Sequence, residues 1–297
     1  MMKKKIPTLP SKSNFLGLEK QFSSFDNSLV VVLPCPFERT TSYGKGTAKG
    51  PLAILNASHY VEFFDEETHK EVCFERGIAT IKPLAFDKLS PKKSIENACE
   101  YIKLLIEEGK FVVTLGGEHT ISLSPVKAHF DFYKDLSILQ FDAHSDLRME
   151  YENSMYSHAS FAARVSEFTT SITQVGIRAQ CKKEYEYIKK KEINTFYAHL
   201  IKKKGLTGTT QEILESLEKN VYITFDVDFL DPSIMPSTGT PEPGGFFWDE
   251  TLALLREIIK NHNLVGFDVV ELSPRKDFPF SDFLTAKLIY KILNYRF

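Results

Sequence analysis

Apolar residues in this chain gather into short, nearly unbroken runs. Between many of the runs they recur every three or four positions instead. The runs are Leu29–Leu33, Gly77–Ile81, Phe111–Leu115, Leu136–Phe141, Ser171–Ile177, Asn194–Tyr197, Val221–Phe225 and Leu264–Val270. Their β-branched and aromatic content favours strands, and runs apolar almost throughout suit strands covered on both faces of a parallel sheet. Helical spacing predicts helices over Pro91–Glu108, Ser157–Glu167, Lys182–Lys190, Thr210–Glu218, Asp249–Asn261 and Ser281–Asn294. In the first, Ile95, Ala98, Ile102 and Leu105 share a face, and Ser90-Pro91 reads as an N-cap followed by a first-turn proline. Alternating strands and helices predict an α/β fold with a mainly parallel central sheet of about eight strands. No linker-like composition or internal repeat divides the chain, so a single domain over 1–297 is expected, with 1–12 as a flexible tail.

Chemistry in such sheets gathers beyond the carboxyl ends of the strands. Three of the runs lead directly into ionisable groups. Phe111–Leu115 is followed by G-G-E-H with His119, Leu136–Phe141 by Asp142, His144 and Asp146, and Val221–Phe225 by Asp226 and Asp228. Spacing by two turns the members of each acidic string to one face of an extended segment. Four carboxylates in one small site raise one another's pKa unless protons or cations neutralise them. A site with more than one metal ion resolves that conflict. Each string alone is ambiguous, since a strand-end Asp often caps a helix and a lone His after a glycine turn is often structural. Their conjunction at three strand ends carries the reading.

Composition narrows the field further. A formal charge of −2 offers no basic stripe for nucleic acid. The clusters Lys3–Lys5, Lys189–Lys191 and Lys202–Lys204 read as solvated surface. No apolar stretch approaches the ~20 residues of a membrane span, and no hydrophobic signal core follows the N-terminal lysines, so a cytoplasmic location is expected. Cys35, Cys73, Cys99 and Cys181 are scattered, which argues against a disulfide framework or zinc knuckle.

The sequence resembles the ureohydrolase family, which includes arginases and agmatinases. The resemblance begins at P-F-E-R-T-T-S-Y-G-K-G-T-A-K-G-P (36–51) and A-I-L-N-A-S, and runs through Gly116–His119, Phe141–Asp146, Ser157-His158 and Phe225–Pro232 to G-F-D-V-V-E-L-S-P (266–274). T-G-T-P-E-P-G-G at 238–245 looks like agmatinases in particular, since arginases differ there. The resemblance implies a three-layer arginase-like fold and a pair of Mn²⁺ ions per subunit. His119 and Asp146 would complete one ion, His144 and Asp228 the other, and Asp142 and Asp226 would bridge both. Four carboxylates and two imidazoles form a hard donor set without thiolate, which agrees with manganese.

By the same resemblance, a metal-bridging hydroxide would attack the guanidinium carbon of agmatine and release putrescine and urea, as in polyamine biosynthesis. Asp146 would hold the nucleophile and carry its proton, Glu271 would orient the guanidinium, and His158 would protonate the departing amine. Arg148 stands where arginases carry an asparagine that reads the amino-acid end of arginine. A pocket-facing Arg148 would favour a carboxylate tail, as in 4-guanidinobutyrate. Pairing with Glu150 or Glu152 would leave agmatine intact as substrate, and either glutamate could itself sense the amine. N1-aminopropylagmatine remains open as well. A metal-dependent deacetylase would use tandem histidines, absent here, and a non-catalytic homologue would have lost a ligand. Trimers or hexamers are implied.

Overall fold

The computed structural model describes residues 6–297. Its centre is one sheet of eight strands: β1 (Val30–Cys35), β2 (Ile78–Thr80), β3 (Phe111–Gly116), β4 (Leu136–Phe141), β5 (Ile172–Ile177), β6 (Asn194–Tyr197), β7 (Asn220–Asp226) and β8 (Asn263–Val270). The order across the sheet is β2-β1-β3-β8-β7-β4-β5-β6, and every pairing is parallel. All eight expected strands are present. Those from β1 to β5 are buried at every position, because helices cover both faces. The period of two sorts side chains between the layers: Val30 and Val32 join one core, while Val31, Leu33 and Cys35 join another.

The helix over Pro91–Glu107 follows its sequence signals, with Ser90 Oγ accepting the Lys93 amide at 3.3 Å. The helices at Gly50–Ser58 and Leu123–Phe132 were not anticipated. Pro51 and Pro125 look like breakers in the sequence, but each lies in a first turn, where no intrahelical donor is lost. The expected Thr210–Glu218 helix sits earlier, at Leu206–Glu215. The expected Ser157–Glu167 helix is broken. A 3-10 turn at His158–Ser160 precedes a five-residue helix, Phe161–Val165, and Ser160 leaves helical geometry between them (φ −125°, ψ 6°). The Ser160 amide bonds the Ser157 carbonyl at 2.9 Å, a tighter closure than an α-helix makes.

Of the stretch read as tail, residues 1–5 lie outside the described residues, including Lys3–Lys5. Farther on, Thr8 bridges Ile81 and the Leu9 amide donates to the Thr80 carbonyl at 2.7 Å, beside β2. The four cysteines are free, and among the described residues no helix is long and apolar enough to cross a membrane.

Candidate metal centre

Sheet order decides what meets what. β3, β8, β7 and β4 are consecutive neighbours, so the segments after their carboxyl ends share one rim. His119 Nδ1 lies 3.1 Å from Asp142 Oδ2, 3.1 Å from Asp146 Oδ2 and 3.4 Å from Asp226 Oδ2. His144 Nδ1 lies 2.9 Å from Asp228 Oδ2 and 3.7 Å from Asp142 Oδ1. Two triads with metal-binding spacing result, His119–Asp142–Asp146 and Asp142–His144–Asp228, and they share Asp142. Asp142, His119, Asp146, Asp226 and Asp228 are buried, and His144 is partly exposed. Local hydrogen bonds set the carboxylates: Asp142 accepts the His144 amide (2.6 Å) and Gln140 Nε2 (2.7 Å). Asp226 accepts the Asp228 amide (2.8 Å), and Asp228 accepts the Ala143 amide (3.0 Å).

The residues fit a cation on grounds internal to the structure. Thr224 Oγ1 lies 2.8 Å from Asp268 Oδ1 and 3.0 Å from His119 Nε2. A hydroxyl has one proton, and the carboxylate claims it, so the hydroxyl accepts from His119 Nε2–H. That assignment leaves His119 Nδ1 as a lone pair with no hydrogen-bond partner, aimed at three carboxylates. Acceptors facing acceptors in a buried site need positive charge between them. The protein alone can meet that need only with protons. Burial, followed by the Asp142 charge, pushes Asp146 up to about 7. Burial, then the Asp228 and Asp142 charges, raises Asp226. Burial opposes charge on His119, yet the surrounding aspartates raise it well above an ordinary imidazole.

Asp146 (φ 51°) and Glu271 (φ 64°) both adopt left-handed backbone, a conformation that costs a non-glycine residue about 1–2 kcal/mol. Glu271 follows β8. Its Oε1 accepts the His119 amide at 2.6 Å, and its side chain lines a cavity of about 290 Å³ with His144, His158 and Asp228. His158 sits on the same wall, its amide donating to Thr40 Oγ1 at 3.1 Å. Burial, reinforced by His144 and His119, pushes its imidazole down to about 4, so it is neutral at neutral pH rather than poised near 7.

The mouth differs from expectation. Tyr151 and Ser154 exchange backbone hydrogen bonds of 2.9 Å around Glu152 and Asn153, whose φ values of 49° and 63° make a hairpin-type turn. Glu150 and Glu152 are exposed on this projecting turn, and neither lines the cavity. Arg148 does line it, but pairs with neither glutamate. Its guanidinium lies over the Tyr151 ring at 5.1 Å, and its Nε is 3.8 Å from Glu184 Oε2.

Several groups that hold the site were missed in the sequence. Glu118, noticed only as the neighbour of His119, accepts the amides of Arg39 (2.6 Å) and Thr40 (2.7 Å) and the hydroxyls of Thr40 (2.7 Å) and Thr120 (2.8 Å). It thereby fixes the Thr40 hydroxyl that receives the His158 amide. Glu38 accepts the amides of Gly46 and Ala48, both at 2.9 Å, closing the same loop. Glu184 lies in a lysine-rich helix that reads as solvated, yet it is buried and accepts Ser145 Oγ, Leu147 N and Cys181 N. An acid two residues beyond an apolar strand was the available signal for Glu118; Glu184 gave none. Glu242, inside T-P-E-P-G-G, also lines the cavity.

A family model described as "Arginase family" matches residues 28–294. N(1)-aminopropylagmatine ureohydrolase of Synechocystis is 36% identical over 296 residues, covering 96% of each chain. Agmatinase of Bacillus anthracis is 35% identical over 266 residues, covering 87% of this chain and 88% of that one. The crystal structure of agmatine ureohydrolase of Thermoplasma volcanium superposes with a TM-score of 0.82 at 26% identity, covering 100% of this chain and 95% of that one.

Proposed function

Because the chain belongs to the arginase family, as an agmatinase-type ureohydrolase acting on linear amidines, we propose that it hydrolyses agmatine to putrescine and urea at a dinuclear manganese site. The observation that carries this reading is the pair of ligand triads joined through Asp142 beneath a cavity that also holds Glu271. His119 and Asp146 would hold one ion, His144 and Asp228 the other, with Asp142 and Asp226 shared. Two such cations, when bound, make water a strong nucleophile near neutral pH. The donor set, all carboxylate oxygen and imidazole nitrogen, favours manganese over softer-liganded metals. We take the whole chain as one catalytic unit around its single sheet, working as a homo-oligomer in the cytoplasm.

The remaining work falls to the chain's own side chains. Glu271 has one oxygen committed to the His119 amide, so the other is the group that orients the planar guanidinium. Asp146 holds the attacking water by a hydrogen bond and takes its proton toward the leaving nitrogen. His158 Nε2 is buried without a hydrogen-bond partner on the cavity wall, where a neutral imidazole can pass a proton to the departing amine. His158→Ala should lower kcat across the neutral pH range with metal content intact. Unchanged turnover across pH would remove His158 from the mechanism.

A longer tail has its own support. Arg148 and Glu184 also line an adjoining hollow of about 560 Å³, and the Synechocystis relative is named for N(1)-aminopropylagmatine. Mn²⁺-loaded protein should be assayed for urea from agmatine, N1-aminopropylagmatine, 4-guanidinobutyrate and arginine in parallel. Agmatine is expected to give the highest kcat/KM; a preference for arginine would overturn the substrate assignment.

A further inference from the structure

Glu242 brings into the cavity a charge that none of the roles above uses. Its backbone is firmly mounted. The Glu242 carbonyl accepts from Arg178 Nε (3.3 Å) and Nη2 (2.9 Å), and the same guanidinium donates to the carbonyls of Asp228 (2.5 Å) and Gly176 (3.3 Å). Arg178 therefore ties the 238–245 loop to the segments at the ends of β5 and β7. Beside it, the Gly44 amide bonds the Gly239 carbonyl at 3.1 Å, and a Cβ on Gly44 would fall 2.7 Å from that oxygen. The backbone is held on both sides, but the Glu242 side chain is 38% exposed. Its recorded ion-pair contact, His144 Nε2, lies at 3.8 Å, beyond hydrogen-bond reach.

The other acids of this wall are committed. Glu184 receives three hydrogen bonds, Glu271 takes the His119 amide, and Asp146, Asp226 and Asp228 stand with the two imidazoles at the candidate metal centre. The cation on the wall, Arg148, already faces Glu184. We propose that Glu242 receives the cationic tail of the substrate, so that the site selects guanidines ending in an ammonium group over those ending in a carboxylate or an apolar group. This inference rests on the ureohydrolase reading. Glu271 and Glu242 line the same cavity, so a molecule with a cation at each end answers both acids. A carboxylate tail would meet Glu242 with like charge.

The test compares wild type, Glu242→Gln and Glu242→Asp on agmatine, n-butylguanidine (a neutral tail) and 4-guanidinobutyrate, with metal content measured alongside. Glu242→Gln should lower kcat/KM for agmatine about tenfold, mainly through KM, as expected for loss of one partly desolvated ion pair. It should leave n-butylguanidine within about twofold and metal content unchanged, and Glu242→Asp should keep part of the agmatine preference. Equal losses on agmatine and n-butylguanidine, loss of metal, or no change at all would each overturn the proposal. If no guanidine releases urea, the ureohydrolase reading falls, and calorimetric binding decides separately on Glu242. Weaker binding of agmatine but not n-butylguanidine by Glu242→Gln supports a tail site, whereas equal affinities overturn it.

Discussion

The rim of the sheet and the mouth of the cavity are built from the same kinds of residue and behave differently. On the rim, Asp142, Asp226, Asp228 and His119 lie at or within three residues of the ends of strands β4, β7 and β3, and backbone amides bond all three of these aspartates. At the mouth, the loops over 36–49, 147–157 and 238–245 have no strand to hold them. They hang on charged side chains at least partly buried: Glu38 and Glu118 for the first, Glu184 at the base of the second, Arg178 for the third. The lesson is a division of labour. Strand ends hold the candidate ligands with the precision of a sheet, while separately anchored loops shape the cavity mouth and can vary without disturbing them.

The sharpest way to break that comparison is at the rim. Asp142→Asn removes a charge shared by both triads, and urea release should fall by on the order of 10³-fold or more with metal content below wild type by elemental analysis. Near-normal turnover with full metal would sink the dinuclear reading. Thr224→Val acts one step back, deleting the acceptor that fixes His119; metal affinity by calorimetry should weaken about 10- to 100-fold. Unaltered affinity would mean that the Thr224–His119 contact does not orient the ligand.

A mouth variant should separate the two regions. Glu118→Gln turns an amide donor toward the Arg39 and Thr40 donors, costing about 1–3 kcal/mol locally. We expect kcat/KM to drop about tenfold while metal content holds, because the damage reaches His158 through Thr40. Loss of metal instead would show that mouth and rim are one unit.

The smallest catalytic effect belongs to His129, which lies in neither region. Burial pushes this imidazole down to about 4, below its unfolded value of 6.5. Its neutral form is the folded form, so stability is full above about pH 6.5 and is lost as pH falls from there toward 4. The loss reaches about 3 kcal/mol, at about 1.4 kcal/mol per pH unit. His129→Gln should flatten the acid limb of the denaturant midpoint without altering activity near neutral pH. An unchanged acid limb would refute the assignment.

The alternation of runs and helical spacings carried all eight strands: burial on both faces writes itself into composition for most of them, while β6, exposed or half-buried throughout, showed in its β-branched and aromatic residues. It failed at Gly50–Ser58 and Leu123–Phe132, where proline's meaning depends on whether it falls in a first turn. The rim was legible for a related reason: acids spaced by two after an apolar run leave little freedom in where they point. The mouth was not. Glu150 and Glu152 looked suitable by proximity, yet neither lines the cavity over the triads, and Glu150 borders the adjoining hollow instead, while Glu184 approaches Arg148 from a helix farther along the chain. Sequence alone therefore determined the sheet, the ligand strings and the family, since those depend on local periodicity and short-range spacing. Only the tertiary structure decided that four strand ends adjoin, that Glu118, Glu184 and Arg178 anchor the loops, and that Glu242 lines the cavity. Those facts depend on contacts between segments far apart in the chain, which spacing along it does not encode.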